Sequence, residues 1–233
     1  YFDPADLYKT GNQEVMFYLN ADRKINTLLT SAAHQYQHLV FYVRKAQANR
    51  AVNDAWINQG LAQLTQKLAG YIDYEKKGWS SQQGNGWIYD ENYGYLNNTE
   101  QVDLLLHDGS LAFSGASSLF ANYIYEQYGS KLIESIMSSS KDPVTVIEEY
   151  TGKDFVKVYM NWMTTNVGDK IPTINNKVYN YSSFDLQQLP KFSTEKKNIT
   201  GIKYFKITNP EDKITFSVPK DIKGKVGIIV IKK

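Results

Sequence analysis

The chain has 233 residues, enough for one large domain or a medium domain with a small companion, and its 42% apolar and 14% aromatic content supports a packed core rather than disorder. It has no cysteine, which excludes disulfides and thiolate metal sites, and no apolar run approaches the roughly 20 residues that span a bilayer. The net charge of +2 is unevenly placed: residues 191–233 carry eleven Lys against four acidic residues. Those lysines alternate with apolar residues, so they read as solvated strand faces rather than as a nucleic-acid surface.

In chain order, residues 13–19 (Gln-Glu-Val-Met-Phe-Tyr-Leu) read as a strand that passes through the Asn20-Ala21-Asp22 turn into a helix. That helix is predicted over 22–49, with Leu28, Leu29, Ala32, Tyr36, Leu39 and Val43 on its buried face. A second helix is predicted over 53–74, where Trp56, Ile57, Leu61, Leu64 and Leu68 recur at helical spacing. Residues 78–98 are rich in Gly, Ser, Asn and Tyr and read as a long, potentially functional loop. A third helix is expected over 110–128, ended by Gly129, with shorter helices over 130–139, 142–151 and 153–166. Asp142-Pro143 is a helix start signal with Pro at the first helical position. After Gly168 the pattern changes. Residues 178–179, 204–207, 214–218 and 226–231 read as strands, separated by turn chemistry at 209–212 and at Lys223-Gly224. The expectation is therefore an α+β chain: a mainly helical domain over 1–170 with a flanking N-terminal strand, then a small β module over 171–233. The chain opens on Tyr1-Phe2-Asp3-Pro4 without an initiator Met or a signal peptide, and reads as a fragment or a processed product.

The chemistry-bearing motif is His34-Gln35-Tyr36-Gln37-His38. Residues i and i+4 of a helix lie about 40° apart, so the two imidazoles can address one metal ion. This is the H-E-x-x-H spacing of zinc peptidases with Gln35 at the position of the general base. An amide has no proton affinity near neutral pH and cannot deprotonate a metal-bound water. The second helix brings Trp56-Ile57-Asn58-Gln59-Gly60-Leu61-Ala62-Gln63, at the distance where thermolysin-type peptidases supply a carboxylate third ligand.

On these two segments the chain resembles the hyicolysin-like family of secreted bacterial zinc metallopeptidases, whose helices read roughly A-H-E-x-Q-H-[LM] and W-x-N-E-G-L-[AS]-E. The opening Tyr1-Phe2-Asp3-Pro4-Ala5-Asp6-Leu7-Tyr8, the segment Gly115-Ala116-Ser117-Ser118-Leu119-Phe120 and Thr151-Gly152-Lys153-Asp154-Phe155 fit it too. The resemblance spans about residues 1–165 and implies a zincin fold of the gluzincin type. It also implies location outside a bacterial cell or on its surface. Carried over residue by residue, it makes His34 and His38 zinc ligands, puts Gln59 at the third-ligand position, and puts Gln63 where the family has an acid. Three glutamates are thus replaced by glutamine. Shape is kept and charge is lost, so zinc would be held weakly or not at all.

Three accounts follow. One is a catalytically impaired pseudopeptidase that binds peptide or protein in the old cleft. Another is a zinc metalloendopeptidase inactivated by engineered Glu-to-Gln changes. The third is a surface or adhesive module. In the 78–98 loop, Trp79 and Trp87 read as groove walls or packing anchors, and Tyr93 and Tyr95 as cleft residues or as covers for a helix. His107 beside Asp108 reads as a transition-state donor or a loop histidine.

Overall fold

The structure is a computed structural model that describes residues 1, 3, 11–49, 54–79, 84–169, 171, 174, 176–193, 201–206 and 209. Among them are seven α-helices: α1 (Ile25–Gln47), α2 (Ala55–Leu68), α3 (Gly86–Tyr89), α4 (Leu111–Tyr128), α5 (Ser130–Ser138), α6 (Pro143–Thr151) and α7 (Phe155–Gly168). Short 3-10 turns cover Tyr95–Asn97, Thr99–Gln101 and Lys177–Tyr179.

Local chemistry sets most of the boundaries. Ser110 Oγ accepts from the Phe113 amide at 3.0 Å and starts α4. Asp142 accepts from the Thr145 amide at 2.9 Å, with Pro143 beside it, and starts α6. Asp154 accepts from the Val156 amide at 2.8 Å and starts α7. Gly152, at φ 66°, closes α6 in the left-handed conformation that glycine adopts without strain.

The centre of the core is α4. Phe113, Ala116, Leu119, Phe120, Ala121 and Ile124 along it are all buried. It is crossed by α2 at Gly60, where a Cβ would run into the Ser117 carbonyl oxygen and come within 2.9 Å of Ala121 Cβ. Small residues at that crossing let the two backbones approach. On its other flank α2 packs against α1. Aromatic rings complete the core: Phe120 lies 5.7 Å from Trp56 and 5.4 Å from Trp162, ring centre to ring centre. A buried ion pair joins the end of α1 to the start of α2. Lys45 Nζ sits 3.6 Å from Asp54 Oδ2 and donates to Ser139 O at 3.3 Å, with no part of the lysine side chain exposed.

The β elements expected from sequence are corrected by this architecture, because the described residues contain no strand. Residues 13–19 form bends and irregular chain. Gln13 has a positive φ of 58°, and Val15 and Leu19 are exposed rather than packed on a sheet face. Their alternation has no partner strand among the described residues, and a strand without a ladder is not stable. Residues 178–179 lie in a 3-10 turn that Asn176 caps by accepting from the Val178 amide at 3.1 Å. Tyr204 makes one isolated parallel bridge, to Phe192. The expected strands at 214–218 and 226–231 lie outside the described residues. Among the described residues, therefore, neither an N-terminal strand nor a C-terminal β module is seen, and the fold they show is mainly helical.

The chain after α7 runs back over the helices. Tyr181, Phe184, Leu186 and Ile202 are buried in the same hydrophobic cluster as α2, α4 and α7. Tyr181 Oη accepts from Trp162 Nε1 at 3.1 Å and donates to Asn166 Oδ1 at 2.7 Å. Lys67 of α2 pins this segment. Its ammonium donates to Asn122 Oδ1 at 2.6 Å and to Ser183 Oγ, and lies 3.6 Å from Glu126. It also lies 4.4 Å from the centre of the Phe184 ring.

The face that α1 buries differs from expectation. Thr30, Leu39, Phe41 and Lys45 are buried, whereas Leu29 and Tyr36 are exposed. No helix among the described residues is long and apolar enough to cross a membrane.

Candidate functional site

The spacing of His34 and His38 on α1 brings their rings together. Nε2 of each lies 3.0 Å from Nε2 of the other, with ring centres 4.6 Å apart and planes at 84°. His38 turns its other nitrogen to α2, where Nδ1 lies 3.0 Å from Asn58 Oδ1. With the Asn58 oxygen as acceptor, a neutral His38 carries its proton on Nδ1 and accepts at Nε2. The proton between the rings then belongs to His34 Nε2, and His34 Nδ1 is left as an acceptor. Burial holds both imidazoles neutral. It lowers the His34 pKa to about 3, with the His38 charge adding to the effect, and it lowers the His38 pKa in the same direction.

Beside His34 stands Gln66, also from α2. Its amide nitrogen donates to Thr30 O at 2.9 Å, which turns its oxygen toward the histidine. Hydrogen bonding to the Gln66 side chain works against burial and raises the His34 pKa. A hollow of about 190 Å³ opens here. Thr27, Thr30 and Ser31 of α1 line it together with His34 and Gln35, while Gln66 and Trp87 enter from α2 and α3.

The glutamines at the motif positions have separate surroundings. Gln35, at the position of the general base, faces the hollow. Gln59, at the third-ligand position, donates from Nε2 to Ser114 Oγ of α4 at 3.4 Å. Gln63 is fully buried, and neither polar atom of its side chain has a hydrogen-bond partner.

The loop aromatics divide. Trp87 is half-buried and forms part of the hollow, whereas Trp79 is 37% exposed with its ring against Gly86. Tyr93 is exposed. Tyr95 belongs to the core, stacked on Trp162 at 5.8 Å. His107 is exposed, with its edge against Phe113.

Two neutral imidazoles are a suitable start for a metal site, since ligating histidines must be deprotonated. Bonds of about 2.0–2.1 Å from one zinc to both Nε2 atoms would span 3.0 Å at an angle near 95°, so a small opening of the pair reaches tetrahedral geometry. Asn58 sits where an outer acceptor orients a ligating imidazole. The set stops there. Among the described residues no group of three His, Cys, Asp or Glu gathers to hold a metal, and the Gln59 amide is engaged by Ser114. The residues present do not fit the three-ligand zinc centre of a peptidase.

Sequence reasoning missed Asn58, Gln66, Ser114 and Thr30. Gln66 carried a signal: residues 59, 63 and 66 share one stripe of α2 at helical spacing. Ser114 carried none, because its approach depends on the Gly60 crossing. Compared with models of protein families and with curated proteins, the sequence matches none.

Proposed function

We propose that this chain is a zinc-metallopeptidase homologue of the hyicolysin-like kind whose hydrolytic centre is lost, a pseudopeptidase that binds peptide or protein in the cleft beside α1. On this reading it acts outside the bacterial cell or at its surface. The observation that carries the proposal is the convergence of His34 and His38 at 3.0 Å with Asn58 oriented on His38, directly before Gln59. A ligating imidazole almost always has an outer hydrogen-bond partner on its second nitrogen, and Asn58 occupies that place on His38.

Three features argue against present hydrolysis. Gln35 cannot serve as a base, Gln59 supplies no charge, and Gln63 is a neutral, fully buried amide. A positioned general base is worth about 10²–10⁴ in rate, and the missing carboxylate ligand removes more. The remaining function is recognition. Trp87 beside a polar hollow suits a ligand with one apolar face and several hydrogen-bonding groups.

The test is restoration. The Gln35→Glu, Gln59→Glu double variant should retain zinc after dialysis and gain chelator-sensitive cleavage of casein, while the natural chain should bind casein without cutting it. Robust chelator-sensitive hydrolysis by the natural chain, or a double variant that folds but takes no zinc, overturns the proposal.

A further inference from the structure

One side of α1 packs on α2 and carries His34 and His38, while the opposite side carries an apolar stripe that the cleft does not use. Each residue of a helix turns about 100°, so Ile25, Leu29, Ala32, Ala33, Tyr36, Val40 and Val43 share an arc of about 100°. Within that arc the Tyr36 hydroxyl is the one polar side-chain group. At about 1.5 Å per residue the stripe runs about 27 Å along the helix. Ile25 is 65% exposed, Tyr36 56% and Leu29 38%, and the other four are half-buried. A surface helix ordinarily turns its apolar stripe to the core and its polar face to water. In α1 the packed side holds Thr30, Gln37 and Lys45, and the apolar stripe faces out. His34 lies about 150° around the helix from the middle of the stripe, so the stripe points away from the hollow.

The charges around the stripe narrow what covers it. From Arg23 to Asn49 the chain carries four cations and no acidic residue. Arg23 and Lys24 at one end of the stripe and Arg44 at the other are exposed, whereas Lys45 is the buried partner of Asp54. Asp22, just before Arg23, offsets one of these cations. The rest of the body has the opposite sign: residues 1–190 carry 15 Lys and Arg against 20 Asp and Glu. An occupant that is anionic at its surface and apolar just beneath meets both features. A second copy of α1 does not, because parallel or antiparallel pairing sets cations against cations at the stripe ends. A protein groove would have to match a straight ridge about 27 Å long, whereas a bilayer adapts to it. Helices that lie in the membrane interface have this make-up, with an apolar face, Lys and Arg beside it and an aromatic ring at headgroup depth.

We propose that the outward face of α1 is a docking surface for an anionic lipid bilayer, with Ile25, Leu29 and Tyr36 set into the interface and Arg23, Lys24 and Arg44 on headgroup phosphates. The contact is peripheral, since no helix among the described residues is long and apolar enough to cross a membrane. Bound in this way, the chain holds the His34 side of α1 and the hollow away from the lipid. None of the docking residues lines the hollow, so the surface works whether or not the cleft binds peptide.

The experiment is co-sedimentation of the full chain with vesicles of phosphatidylcholine alone and of an equal mixture with phosphatidylglycerol. Binding to the mixed vesicles, weakened by salt, is expected. Ile25→Glu with Leu29→Glu should weaken it at least about tenfold, and Arg23→Glu with Lys24→Glu about tenfold, with the helical circular dichroism unchanged. Leu106→Glu, at an exposed leucine outside the stripe, should leave binding as it is. The eleven Lys of residues 191–233 could adsorb to anionic vesicles by charge alone, and Tyr36→Trp separates that from insertion. Its added fluorescence should be quenched by lipids brominated in the acyl chains. No binding to the mixed vesicles overturns the proposal. So does binding that folded Ile25→Glu, Leu29→Glu retains in full, or a bound Tyr36→Trp whose added fluorescence is not quenched. Concentration-dependent self-association without vesicle binding assigns the stripe to a second copy and overturns it as well. Casein binding is measured separately, so peptide recognition can fail while lipid docking stands, or the reverse.

Discussion

Raising the pH above about 10 should unfold this protein cooperatively, because its core is built on buried phenols. Tyr74, Tyr89, Tyr95, Tyr123 and Tyr181 are each no more than 5% exposed, and burial pushes every one of these hydroxyls well above the usual tyrosine range. The folded state keeps its phenolic protons where the unfolded chain, with tyrosines near pKa 10, releases them. A group raised in the folded state stabilises fully below its unfolded pKa, and that stability is lost as the pH rises. Each phenol forfeits about 0.4 kcal/mol at pH 10, about 0.8 at pH 10.5 and about 1.4 at pH 11. Five of them together forfeit about 2, 4 and 7 kcal/mol at those pH values, against a typical domain stability of about 5–15 kcal/mol. Lys67 works in the opposite sense. Burial lowers its ammonium to about 8, so it adds stability between about pH 8 and its unfolded value near 10.4, before the phenols dominate. The assay follows helical circular dichroism and tyrosinate absorbance together from about pH 8 to 12. One coincident, steep transition between about pH 10.5 and 11.5 is expected. A gradual tyrosine titration centred near pH 10 with the helical signal intact would refute the reasoning.

Three further outcomes follow from the packing and the site. Gly60→Ala should lower stability by about 2 kcal/mol, or roughly 4–8 °C in Tm by thermal circular dichroism, because the added methyl meets the Ser117 carbonyl. Asp54→Asn should cost about 3 kcal/mol in urea unfolding by leaving the Lys45 charge buried without its carboxylate, and replacing Lys45 by Met together with Asp54 by Leu should recover most of the loss. Gln59→Glu alone should raise zinc affinity at least about tenfold, read by elemental analysis after dialysis, without producing hydrolysis while Gln35 remains.

The helices were legible wherever the chain carried its own punctuation. Asp142-Pro143, Gly129 and Gly152 bound α5 and α6 close to the expected places. The spacing of His34 and His38 foretold their convergence, because i and i+4 contact is a property of one helix. The buried face of α1 was misread, since apolar periodicity favoured Leu29 and Tyr36. The face that packs is partly polar, and it is matched by polar groups on α2: Gln37 accepts from Thr65 at 3.2 Å, and Thr30 O accepts from Gln66. Such matching is pairwise and leaves no trace in a hydropathy pattern. The orientation of Gln59 was hidden for the same reason, as its partner Ser114 lies 55 positions along the chain. At 178–179 no residue is buried, and at 204–206 only Tyr204 packs against the core while Phe205 and Lys206 are exposed; a ladder there would need a partner that local sequence does not name.

The return of the chain over its helices after Gly168 has a consequence for how the protein is made. All seven helices of the described residues have been synthesised once Gly168 has been added, yet the surface formed by Trp162, Tyr74 and Leu96 lacks its cover until Tyr181, Phe184, Leu186 and Ile202 have emerged. A nascent chain paused between those points presents aromatic surface to its surroundings while it waits on the ribosome, which makes it prone to aggregation. Ile202 is the last of the four to arrive. Its amide donates to Thr99 O at 3.0 Å, and its side chain is buried in the cluster. Among the described residues, synthesis through Ile202, rather than completion of α7, completes the set of side chains that close the core.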